Sequence, residues 1–72
     1  MKKMNELPEI LTAKDISGYL GISRRRVYEL LQIHPNNGGI LNFEIGFSKR
    51  VHKDDFEKWI ENQKEKKIHA FS

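Results

Sequence analysis

Two helix-start signals eleven positions apart constrain this chain more than anything else in it. Thr12 is placed to cap a helix, and Asp15 three residues later completes a variant of the capping box. Ile16 and Leu20 supply an apolar i, i+4 pair, and Gly21 ends the segment, which predicts a short helix over residues 13–20. Ser23 is the next N-cap. Behind it Val27, Leu30 and Leu31 form a buried stripe at helical spacing. Pro35 disfavours helical geometry at His34, so this second helix ends near residue 33.

Beyond it, "HPNNGG" has loop composition. The period then changes to two: Leu41, Phe43 and Ile45 alternate with Asn42 and Glu44, as in a half-buried strand. "GFSK" reads as a turn and "RVH" as the returning strand, giving a hairpin whose apolar face lies on the core. A third helix follows. Asp54 and Asp55 favour its positive end and Lys64, Lys66 and Lys67 its negative end, with Phe56, Trp59 and Ile60 facing inward. The expected core is Leu11, Ile16, Leu20, Ile22, Val27, Leu30, Leu31, Ile45, Val51, Phe56, Trp59 and Ile60. Residues 1–9 read as a flexible arm, residues 10–66 as one domain, and residues 67–72 as a flexible tail. The fold class is α+β, in the order helix, helix, β-hairpin, helix.

A chain of 72 residues buries only about 60% of its unfolded surface, and without cysteine it has no disulfide to help. Thiolate zinc sites and thiol nucleophiles are excluded on the same ground. His34, His52 and His69 show no ligand spacing, so neither a metal nor a cofactor is expected. No apolar run approaches a membrane span and no signal-peptide pattern appears, so a soluble, cytoplasmic protein with no membrane partner is expected. Asp54 and Asp55 resemble a carboxylate pair, but neighbours on a helix diverge by about 100°. No phosphate-cradling glycine loop or nucleophile–base pairing is present. The chain does not read as an enzyme.

The charge is unevenly placed. Residues 14–53 hold Lys14, Arg24, Arg25, Arg26, Lys49, Arg50 and Lys53 against Asp15, Glu29 and Glu44, a sum of +4 within a net charge of +3. Such a bias points to a polyanion. Within it, Ser17, Gly21 and Val27 have the spacing of a helix-turn-helix: a small residue in the first helix, a turn glycine four later, a β-branched core residue six after that. A plain αα-corner has the same outline, so the exposed face decides. At about 100° per residue, the buried stripe of the second helix faces about 290° when Arg24 is set at 0°. Arg25 then lies near 100° and Gln32 near 80°, directly opposite, with Tyr28 near 40°. Arg24 and Arg26 flank them. Arg25 is therefore placed to reach base edges, and Arg24 and Arg26 to hold phosphates on either side. Tyr28 suits a phosphate or a thymine methyl, or a half-buried rim. Glu29 suits cytosine N4, or an ion pair with Arg25 or Arg26. Ser48, Lys49 and Arg50 place three donors at the hairpin tip, as a wing tracking the neighbouring groove requires; the alternative is an edge kept soluble by charge. His52 reads as a residue at the start of the third helix.

Together "LTAKDISGYLGISRRRVYELL" and "EIG…KRVHKDDFEKWI" resemble the excisionase-type, MerR-like winged-helix family of small DNA-binding proteins. The resemblance rests on Leu11 and Thr12 at the start, the run at residues 19–24, Tyr28 after Val27, Arg50 before Val51, and Asp55, Phe56 and Trp59 in the last helix. It covers residues 10–61. It implies a small winged helix-turn-helix with double-stranded DNA as partner, and contacts from Thr12, Ser23, Arg24, Arg25, Arg26, Tyr28, Gln32, Ser48, Lys49 and Arg50. The sequence departs from the family at Arg26, usually threonine-like, at Glu29, often basic, and in a longer segment over residues 32–41. Excisionases bind in several copies, bend attachment-site DNA and bias an integrase toward excision, so an integrase and further copies of the chain are the implied partners. A small transcriptional regulator of the same fold, and an antirepressor-like module that binds protein, are the alternatives.

Overall fold

The structure, a computed structural model, describes residues 4–70, with side chains described through residue 67. Of the expected arm and tail, residues 1–3 and 71–72 lie outside the described residues. Three helices and a small sheet follow in the order β1 (Ile10–Leu11), α1 (Ala13–Leu20), α2 (Arg24–Gln32), β2 (Phe43–Ile45), β3 (Ser48–His52) and α3 (Lys53–Ala70). Two 3₁₀ turns, Met4–Glu6 and Pro35–Asn37, lie outside these elements.

Local chemistry sets the helix pair. The Thr12 hydroxyl accepts from the Asp15 N–H at 3.2 Å, and the Asp15 carboxylate accepts from the Thr12 N–H at 3.0 Å, so the capping box is complete. Gly21 ends α1 in the left-handed region at φ 71° and donates its N–H to the Ser17 carbonyl at 2.9 Å. The Ser17 hydroxyl in turn donates to the Ile22 carbonyl at 2.7 Å, so its oxygen fastens the far side of the turn. Ser23 Oγ accepts from the Arg26 N–H at 3.1 Å and starts α2. Ser17→Ala removes a hydrogen bond worth about 0.5–1.5 kcal/mol and regains about 0.5 kcal/mol of helix propensity. The expected result is a lowered urea midpoint with an unchanged m-value, a net loss of about 1 kcal/mol or less.

The long connection after α2 is fastened at both ends. Ile40 donates its N–H to the Leu30 carbonyl at 3.2 Å, and Asn42 Nδ2 donates to the Leu31 and Ile40 carbonyls, each at 2.8 Å. Trp59 Nε1 donates to the Gly38 carbonyl at 3.0 Å, which ties the loop to α3.

The sheet is antiparallel, in the order β1-β3-β2. Leu11 pairs with Val51 on one side of β3, and Glu44 with Lys49 on the other. The hairpin turn is tighter than "GFSK" suggests. Ile45 pairs with Ser48, leaving Gly46 and Phe47 as the two turn residues. Gly46 takes φ 63° while Phe47 stays at negative φ, the pattern of a type II′ turn, which needs glycine first.

Leu7, Leu11, Ala13, Ile16, Val27, Leu31, Ile40, Val51 and Phe56 are buried. Leu20, Ile22, Leu30, Trp59 and Ile60 pack around them half-buried. The expected core position Ile45 is corrected by the structure. Ile45 is 64% exposed, and Leu41 and Phe43 are exposed with it. The reason is topological: β2 is an edge strand whose neighbour is β3, so the hairpin reaches the core through Val51 and not through the alternating residues of β2.

Residues 4–9, expected as a loose arm, instead close over the core. Leu7 is buried, the Glu9 carbonyl accepts from the Lys53 N–H at 2.8 Å, and the Leu7 carbonyl accepts from Lys53 Nζ at 3.4 Å. At the other end α3 runs on to Ala70, past the expected boundary at residue 66. Neither glycine nor proline interrupts it there, and its late lysines suit the negative end of the helix dipole. The start of α3 is as expected: Asp54 and Asp55 stand in its first turn and the Asp54 N–H donates to His52 Nδ1 at 3.3 Å.

Candidate nucleic-acid interface

A cleft opens between the N-terminal ends of α1 and α2 on one side and the wing, the β2–β3 hairpin, on the other. Thr12, Arg24, Tyr28, Ser48, Lys49 and Arg50 line it, so six of the ten expected contact residues meet in one place. Among the described residues four cations line it as well, Lys14, Arg24, Lys49 and Arg50, and no carboxylate does. Glu44 stands close by on β2 and holds Lys49 at 2.9 Å.

The other four expected residues lie outside the cleft's lining. Ser23 is exposed and spends its side-chain oxygen on capping α2. Arg25 is exposed and its side chain has no hydrogen-bond or ion-pair partner among the described residues. Arg26 is exposed and pairs with Glu29 at 3.4 Å, so of the two arginines it is Arg26 that meets that carboxylate. Gln32 is exposed on the last turn of α2. The row of three arginines is thus divided among a cleft wall, an open surface and an ion pair.

Within the cleft the expected residues differ in how free they are. Thr12 uses its hydroxyl twice on Asp15, as cap acceptor at 3.2 Å and as donor at 3.1 Å, so it shapes the wall and has little left to offer a ligand. Tyr28 is 48% exposed and presents its ring and hydroxyl. Arg50 is half-buried and donates to the Lys49 carbonyl at 2.9 Å, which orients its guanidinium along the strand. The Lys49–Glu44 and Arg26–Glu29 pairs are both surface pairs, a class worth about 0–1 kcal/mol. A phosphate competes easily with a pair that weak, so neither lysine nor arginine is locked away from an anion.

Three further residues line the cleft that were not among the expected contacts, Ala13, Lys14 and Phe47, and the last two have side chains that can meet a ligand. Lys14 stands in the first turn of α1, where a cation opposes the helix dipole. The three arginines at the start of α2 oppose its dipole in the same way. Phe47 sits at the centre of the wing turn, fully exposed. Its signal was an apolar residue directly after a turn glycine.

Among the described residues no helix is long and apolar enough to cross a membrane, and no cluster of side chains is arranged to hold a metal ion. No curated protein and no solved structure gives a significant match. A family model described as a helix-turn-helix domain matches residues 10–64, from the first strand through most of α3. That span takes in the capped helix pair, the wing and the cationic cleft, and the chain belongs to this family of DNA-binding helix-turn-helix domains.

Proposed function

We propose that the chain is a sequence-specific, double-stranded DNA-binding accessory protein of a mobile element, an excisionase that bends attachment-site DNA and assists an integrase. The cleft carries this reading: among the described residues, four cations and no carboxylate line the space between the recognition helix α2 and the wing. In it α2 lies in the major groove, Arg25 meets base edges, and Arg24 and Arg26 hold phosphates on either side. Lys14, Lys49 and Arg50 meet the backbone next to the wing. The chemistry performed is none; the protein sets the shape of the DNA on which a recombinase acts.

A second reading has one observation in its favour. Phe43 and Ile45 on the edge strand of the wing, with Leu41 just before it, are exposed apolar residues that form a row. Such a row suits a protein neighbour, either the integrase or a second copy of the chain on adjacent DNA.

The test is a titration of the full chain against duplexes from the ends of its host element at several salt concentrations. Contacts from Lys14, Arg24, Arg26, Lys49 and Arg50 predict a slope of log K against log salt of about −4.5, or about −0.9 for each neutralised phosphate. Absence of any salt-dependent shift sinks the DNA reading and leaves the protein-binding one. In cells, loss of the gene should stop excision and leave transcript levels unchanged. The converse result makes the protein a transcriptional regulator.

A further inference from the structure

Phe47 has no structural employment. Its relative exposure is 105%, so nothing packs on the ring. Turn chemistry does not ask for it either, since the residue after the glycine of such a turn is usually asparagine, aspartate or serine. The closing pair, Ile45 with Ser48, holds the hairpin together without it. A large aromatic at this position costs solubility and returns nothing to the fold.

Its surroundings narrow what it meets. Phe47 stands on the wall of the same cleft as Arg24, Lys14 and Arg50, with the Ser48 hydroxyl next to it in the chain. An apolar tip inside a ring of cations complements one common surface well. The DNA duplex has stacked, apolar bases inside and phosphates outside. Proteins that kink DNA from the minor groove insert a Phe, Leu, Ile, Met or Pro between base steps while cations hold the flanking backbone. An apolar protein surface would match the ring but not the cations around it. The exposed row Leu41, Phe43 and Ile45 reaches the closing pair of the turn at Ile45 but does not line this cleft.

We infer that Phe47 is a wedge: with α2 in the major groove, the wing tip inserts the ring between two base pairs of the adjacent minor groove and kinks the duplex. The inference rests on the DNA-binding reading and adds to it the residue that does the bending. Phe47 belongs to the unreacting, shape-setting part of the interface. Removing it therefore separates bending from binding, because the phosphate contacts of Arg24, Lys14 and Arg50 remain.

The experiment uses the full chain and duplexes that it has itself selected from a randomised pool, labelled at both ends with a donor and an acceptor dye. Wild type should shorten the end-to-end distance as expected for a kink of about 20–90°. Phe47→Ala should still shift the duplex with the wild-type salt slope, but leave it straight. Phe47→Leu, still an apolar wedge, should restore the bend. Phe47→Lys should bind with a steeper salt slope and no bend. Because Phe47 is fully exposed, a thermal melt of each variant should match wild type. A bend that survives in Phe47→Ala overturns the wedge, as does wild type binding its selected duplex without bending it. So does a variant that binds and bends normally but has lost self-association by sedimentation, which makes the tip a protein contact. A wild-type chain that selects no duplex overturns the DNA-binding reading itself, and that failure shows before any variant is made.

Discussion

Phe56→Ala is expected to leave the chain at the edge of unfolding at 25 °C. Phe56 is completely buried near the start of α3. Its ring meets Tyr19 of α1 edge-on, with centroids 5.8 Å apart, and stacks nearly parallel to Trp59 at 6.3 Å. One side chain thus joins the helix-turn-helix to the last helix. Truncating a buried phenylalanine to alanine costs about 3–5 kcal/mol, the upper part when the surroundings cannot collapse into the space. Collapse is hindered here because Trp59 is held to the Gly38 carbonyl and Tyr19 sits on a capped helix. A domain of this length has about 4–11 kcal/mol of stability to lose. The melting temperature should fall by at least about 12 °C, and the urea transition should move toward zero denaturant. Phe47→Ala is the matched control, the same substitution at a fully exposed position, and should change stability by no more than about 0.5 kcal/mol. A Phe56→Ala variant as stable as that control would mean that the three helices do not share one core.

The contrast between these two phenylalanines also marks what a sequence can and cannot disclose. Phe56 announces itself, because Trp59 and Ile60 stand at i+3 and i+4 and the carboxylates before it fix the helix start. The caps of α1 and α2 were equally legible, since Thr12, Asp15 and Ser23 act on N–H groups no more than three residues away. Non-local features were not legible. The two-residue strand β1 carries no period, and its partners His52 and Val51 lie far along the chain. Ile40 is completely buried but belongs to a loop, outside any alternation. Ile45 satisfies the alternation and is nevertheless exposed, because period two identifies a face without saying whether anything covers it.

The site divides in the same way. That cations crowd the start of α2 is written in the sequence, and an unfavourable placement against the helix dipole asks for an anion to offset it. That they share a cleft with the wing depends on the register of the hairpin and on the fastening of the long loop by Asn42 and Ile40. The two-residue turn matters most. The sequence reading has Ser48, Lys49 and Arg50 at the tip. The observed turn places all three in β3, hands Lys49 to Glu44, and leaves Phe47 leading.

Arg25→Ala should weaken binding to a duplex selected by the wild-type chain by about 1–3 kcal/mol, roughly 5- to 150-fold in Kd, and relax the preference at one base pair. The salt slope should barely change. Arg25, like Arg24, has no side-chain partner among the described residues, and by helical angle it lies most nearly opposite the buried stripe of α2, which suits a bidentate contact to guanine. Arg24→Ala should do the reverse: weaken selected and unselected duplexes alike, and lower the magnitude of the salt slope by about 0.9. Arg26→Ala should have the smallest effect, because Arg26 must first leave Glu29 to reach a phosphate. Stability separates these outcomes from misfolding. Each arginine stands at the positive end of α2, where a cation costs about 0.3–1 kcal/mol. Replacing it with alanine should therefore raise the melting temperature slightly while binding falls. Loss of both together would mean that the substitution had damaged the helix and not the interface. Arg25→Ala binding its selected site as well as wild type would move the reading face of α2 elsewhere.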